Sequence, residues 1–124
     1  MAIHTELAVY KAAMELTILC SRLVAHMPRN HRAVDGARLV AYSRAVVRHI
    51  RLANQAADKV PHIEQLLDNL GGLEVEITVC SDLRLISTSG FSKAAPLVGS
   101  ISRQAGGWKK ASASKPDSRP SRRP

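Results

Sequence analysis

The residue types best suited to chemistry are thinly spread along this chain. Glu74 and Glu76 sit two positions apart, and general acid–base work needs two groups aimed at one point. On a helix, residues at that spacing point in different directions. On a strand they would share a face. The histidines at positions 4, 26, 31, 49 and 62 form no HExxH run or other tight metal spacing. His26 and His31 straddle Pro28, so no helical register joins them, and surface or capping roles are expected. Gly106-Gly107-Trp108-Lys109-Lys110 lacks the spacing of a phosphate-cradling GxxxxGK[ST] loop. The serines gather near positions 87–89 and in the tail, without a nucleophile elbow. The expectation is a protein that binds, with no catalysis, metal or cofactor of its own.

One pattern does carry chemistry. Arg44, Arg48 and Arg51 recur at i, i+4 and i+7, which lays a cationic ridge along one side of a helix. Together with Arg29, Arg32 and Arg38 they place six arginines against Asp35 alone, a net +5 over positions 29–51. From Lys109 onward, six basic residues (Lys109, Lys110, Lys115, Arg119, Arg122 and Arg123) oppose Asp117, again +5. Between these zones, positions 61–86 hold Glu64, Asp68, Glu74, Glu76 and Asp82 against Arg84, a net −4. The whole chain carries +8.

Basic zones attract phosphate backbones, and the planar arginine fork binds phosphate oxygens two at a time. The candidate nucleic-acid-binding residues are therefore Arg29, Arg32, Arg38, Arg44, Arg48, Arg51, Lys109 and Lys110. Two plainer uses of the same ridge stay open: a solvated helix face, or salt bridges to an acidic neighbour. Aromatics make up only 3% of the chain, so bases have little to stack on. Binding by shape and charge is the expectation.

Helices must position these residues. For a helix over residues 5–27, Ile3, Leu7, Tyr10, Met14 and Ile18 share one side, and Val9, Leu16, Cys20, Leu23 and Met27 another. Pro28 ends that helix, because the residue before a proline disfavours the α region. Residues 33–57 set Leu39, Val46, Ile50 and Ala53 opposite the arginine ridge. Pro61 suits the first turn of a third helix.

Residues 61–86 send two signals. Leu66, Leu70, Leu73, Ile77 and Cys80 fit a helix, with a second stripe of Val75, Val79, Leu83 and Ile86. Yet 73–79 alternates strictly and follows Gly71-Gly72, which is a strand signal. Two glycines inside a helix cost about 2 kcal/mol. No second strand exists for pairing, and a lone strand leaves its backbone polar groups unmet, so one long helix is expected. Phe91, Ala94, Val98, Ile101, Ala105 and Trp108 mark the fourth helix over 90–110. Pro96 should kink it or move its start later. Trp108 reads as a core anchor at the helix end, and Gly106-Gly107 as a site of close helix approach or fraying.

The reading is all-α: an up-and-down four-helix bundle over residues 1–112, then a disordered basic Ser/Pro/Arg tail over 113–124. The first and third helices carry more apolar surface than one buried side requires. A homo-oligomer would bury the excess; a deeply embedded helix in a monomer is the other explanation. Cys20 and Cys80 form no CxxC pair and fit free buried thiols in a reducing cytoplasm. No signal-peptide pattern opens the chain. No apolar run nears the ~20 residues that span a bilayer, so no membrane role is expected.

Three stretches add a family resemblance. Pro28-Arg29-Asn30-His31-Arg32 follows the first helix, Ser87 precedes Phe91 by four positions, and the last helical segment closes on Gly106-Gly107-Trp108-Lys109. In this order the chain resembles the accessory variability determinant (Avd) proteins of diversity-generating retroelements, over about residues 7–110. The resemblance implies a four-helix bundle assembled as a ring-shaped homopentamer. It implies a basic, RNA- and nucleic-acid-binding surface and a reverse transcriptase partner. Such a protein is non-catalytic. It serves the partner's mutagenic retrohoming, in which template-repeat RNA is copied into mutagenised cDNA. A related bundle family, encoded in intervening sequences of bacterial ribosomal RNA, is the alternative, as is a protein–protein adaptor that binds no nucleic acid. Glu74 and Thr78 stand where the family usually carries arginines, which moves the expected basic surface to Arg44, Arg48 and Arg51 on the second helix.

Overall fold

The computed structural model describes residues 7–114, and these form four helices with no strand among them. Each helix packs on the two that adjoin it in sequence, and the fourth closes on the first. Short links join them, as in an up-and-down bundle. The centre is filled by Leu16, Leu39, Ile50, Ile63, Leu66, Leu73 and Ile101, all fully buried. The basic tail expected over 113–124 lies, beyond Ser114, outside the described residues.

The first helix, Ala8–Ala25, buries Val9, Ala13, Leu16 and Cys20. Its other apolar side is only partly covered, with Ile18 47% exposed. The helix ends as Pro28 requires. The backbone N–H groups of His26 and Met27 turn back onto Leu23 and Val24, at 3.2 and 3.0 Å.

The second helix starts earlier than the expected position 33. Pro28 is extended, and its carbonyl accepts the N–H groups of His31 and Arg32 at 3.0 Å. The Pro-Arg-x-His stretch is thus a helix start. The chain runs through Arg29–His31, a widened π turn at Arg32–Gly36, and the helix Ala37–Gln55. Gly36 lies against Val24 of the first helix, where an added Cβ would come within 2.6 Å of Val24 Cγ1. At the far end, Lys59 Nζ donates to the carbonyls of Ala53, Asn54 and Ala56, each at 3.0 Å. These bonds cap the carbonyls at the end of the helix.

The third helix, Val60–Asp82, passes unbroken through Gly71 and Gly72. Burying Leu66, Leu70, Leu73, Ile77 and Cys80 at about 1.5–3 kcal/mol per large side chain outweighs the glycine cost. Gly72 also has a steric role: the Tyr42 ring of the second helix occupies the space a Cβ would need. The helix stops four residues short of the expected position 86. Arg84 takes a left-handed conformation, φ 59°. Leu85 N–H donates to Cys80 O at 2.8 Å, and Arg84 N–H to Ser81 O at 3.0 Å. This is the Schellman ending, normally built on glycine. Ile86 is buried in the link that follows and does not extend the outer stripe.

Ser87 caps the fourth helix, its Oγ accepting Gly90 N–H at 2.9 Å. That helix, Thr88–Ser114, begins before the expected position 90 and continues through Pro96. Pro96 is solvent-exposed and does not move the start later. Trp108 packs against the core, in keeping with an anchor. Of the two readings of Gly106 and Gly107, close helix approach is not met: a Cβ at either position would meet nothing within 4 Å among the described residues.

Candidate nucleic-acid interface

Alternating burial along the second helix sets the ridge. Leu39, Val46, Ile50 and Ala53 are buried, so the 3.6-residue repeat turns Arg44, Arg48 and Arg51 away from the core. Arg44 and Arg48 are exposed and Arg51 is half-buried. The three span about 10 Å along the axis. None holds an ion pair among the described residues.

The other predicted residues are only partly brought to this ridge. Arg29 and Arg32 are exposed at the start of the same helix, about 25 Å from its cationic centre. Arg38 is exposed but lies close enough to Asp35 and Glu76 to act on their charges. Lys109 and Lys110 belong to the fourth helix, which adjoins the first and third helices and not the second. Lys109 is engaged by Glu64 at 3.3 Å. The eight residues therefore form a ridge, a separate cluster at one end, and a pair on the opposite corner.

A polar chain links the second and third helices. His31 Nδ1 and Asp35 Oδ2 are 3.0 Å apart. The Asp35 carboxyl lies near that of Glu76, and Cys80 Sγ donates to Glu76 Oε2 at 3.7 Å. Hydrogen bonding to His31 holds the Asp35 carboxyl below its ordinary range, with the nearby His31 and Arg38 charges adding to this. Burial pushes Glu76 above its ordinary range, and the Asp35 charge pushes the same way. Glu76 is only 7% exposed. Glu74 is exposed on another side of the helix, as the two-residue spacing requires. The sequence held a signal for this chain: two i, i+4 pairs, with Glu76 beside the buried Leu73, Ile77 and Cys80. The helix-to-helix register that unites the pairs is not visible in either one.

Cys20 and Cys80 are free and buried, and burial pushes both thiols up to about 12. Half-buried His49 is held below its ordinary range by desolvation and by the nearby Arg48 and His62 charges. Among the described residues no three His, Cys, Asp or Glu side chains are placed to hold a metal ion. No described helix is long and apolar enough to cross a membrane. A groove of about 680 Å³ runs between the first and fourth helices, floored by Ile18, Leu19, Leu23 and Leu97 and edged by Arg22 and Lys93.

The arrangement suits binding of extended anions along the second helix. Guanidinium groups one turn apart offer repeated donors without a pocket, and the ridge carries no aromatic side chain to read bases. No protein-family model and no curated protein matches the sequence.

Proposed function

We propose that this protein is a non-catalytic, cytoplasmic nucleic-acid-binding scaffold that partners a retroelement reverse transcriptase. The observation that carries the binding half is the ridge of Arg44, Arg48 and Arg51, two exposed and one half-buried, with no carboxylate partner among the described residues. Unpaired surface arginines leave their donors available for phosphate oxygens, and release of counterions then drives association. The reverse transcriptase half, and the assembly as a ring-shaped homopentamer, rest on the resemblance to the Avd proteins. Ile18, Val75, Val79 and Leu83, all exposed in the single chain, are in keeping with a surface that meets other proteins.

In this reading the bundle holds RNA by backbone and shape while the polymerase performs the chemistry. The test is mass by light scattering, with and without a structured RNA, at low and high salt, followed by co-purification with the cognate reverse transcriptase. The expected result is a pentamer mass and RNA binding that weakens steeply as salt rises. A monomer that ignores RNA would overturn the reading and leave the adaptor function in its place.

A further inference from the structure

Val75, Val79 and Leu83 are 64%, 37% and 55% exposed. They fall at four-residue intervals on the third helix, so they form one stripe about 12 Å long. Asp68 and Asp82 lie on the same outward side, and Glu74 lies beside it. All three are exposed. Arg84 is the cation at the stripe's end, and Arg103 of the fourth helix lines the same cleft as Glu74. In a chain of net charge +8, Asp68 and Asp82 still leave the outward side of the stripe acidic.

We propose that the outer face of the third helix is the docking surface for a basic amphipathic helix of a partner protein. The apolar stripe supplies two turns of anchoring contact, the length that helix-in-groove recognition uses at i, i+4 and i+7. The flanking carboxylates select a basic partner and reject an acidic one. The chain's own arginine ridge is a poor occupant. Around Arg44, Arg48 and Arg51 the exposed positions are Ala37, Arg38, Ala41 and Gln55, and the large exposed apolar side chain of this helix, Val34, stands alone about 15 Å before Arg44. The surface is independent of RNA binding, since the arginine ridge lies on a different helix.

The test uses the full chain and three labelled synthetic peptides of about five helical turns. One carries leucines at three- and four-residue spacing with lysines elsewhere. The second keeps the leucines and replaces lysine by glutamate. The third keeps the lysines and replaces leucine by serine. Anisotropy measures binding, and NMR shifts report its place. The leucine–lysine peptide should bind, shift the signals of Val75, Val79 and Leu83, and bind at least about tenfold more tightly than either control. The double variant Val75→Lys, Leu83→Lys should lose about tenfold or more while keeping its helical signal and melting temperature, because both side chains are exposed. Equal binding to that variant, equal binding of a control peptide, or shifts confined to the groove between the first and fourth helices would each overturn the proposal. So would a wild-type oligomer that falls to monomer in the double variant, since a second copy would then be the occupant.

Discussion

The second and third helices lie side by side and follow the same rule inside the bundle, yet their outer faces are opposites. Inward, Leu39, Val46 and Ile50 on one match Leu66, Leu73 and Ile77 on the other. Outward, the second helix presents Arg44 and Arg48, while the third presents Val75, Val79, Asp68 and Asp82. Packing constrains only the inner positions. The outer positions contribute little to folding, so their divergence records what each face meets. The two glycines of the third helix repeat the contrast in small: Gly72 faces Tyr42 across the interface, and Gly71 faces solvent.

The largest effect that would break this comparison concerns charge. Arg44→Glu, Arg48→Glu and Arg51→Glu together should weaken binding to a structured RNA by about a hundredfold at low salt, with a shallower salt dependence. Lysine at Asp68 and Asp82 should not weaken it. Filter binding across a salt series checks both, and equal losses in the two sets would erase the distinction between the faces.

The glycine pair should separate by sign. Gly72→Ala forces a Cβ into the Tyr42 ring and is expected to cost about 1–3 kcal/mol. Gly71→Ala adds a methyl in open space and should gain about 1 kcal/mol of helix propensity. Urea midpoints for the two variants measure the difference directly.

The polar chain between the two helices makes stability pH-dependent in two directions. Glu76 is held above its ordinary range, so its contribution is present below the ordinary glutamate value and is lost as pH rises through the raised one. Asp35 is held below its ordinary range, so its contribution is present above the ordinary aspartate value and is lost as pH falls. In Glu76→Gln, the decline on raising pH from about 4.3 should disappear while the acid-side loss remains. Urea midpoints taken from pH 3 to 8 at fixed salt would show this; an unchanged decline would assign it to another group.

The smallest effect lies at the end of the third helix. Arg84→Gly relieves the left-handed strain and should stabilise by about 1 kcal/mol, read as a rise in thermal midpoint. A fall would mean that the Arg84 side chain contributes more than its backbone costs.

Much of the bundle is legible in the sequence. The one-sided burial of the second helix and the continuity of the third through its glycines both follow from three- and four-residue spacing of large apolar side chains. The helix ends were less legible. Arg84 adopts a conformation that glycine usually marks, so nothing in the local sequence stopped the helix before position 86. Pro28 ended one helix as expected, but its fixed φ also started the next at Arg29. Of the candidate site, the ridge of Arg44, Arg48 and Arg51 was visible because a single helix sets its spacing. Its separation from Lys109 and Lys110 was not, because that depends on which helices adjoin.

The sequence alone determined what recurs within a helical turn: which positions could be buried, which charges line one helix, and that Glu74 and Glu76 diverge. The tertiary structure decided what depends on helix rotation and register. It joined His31 and Asp35 to Glu76 and Cys80, set Tyr42 over Gly72 and placed Lys109 against Glu64. It also left Val75, Val79 and Leu83 in solvent where periodicity marked them only as apolar. Periodicity is a property of one helix, whereas contact across helices is set by the packing of all four helices on one core.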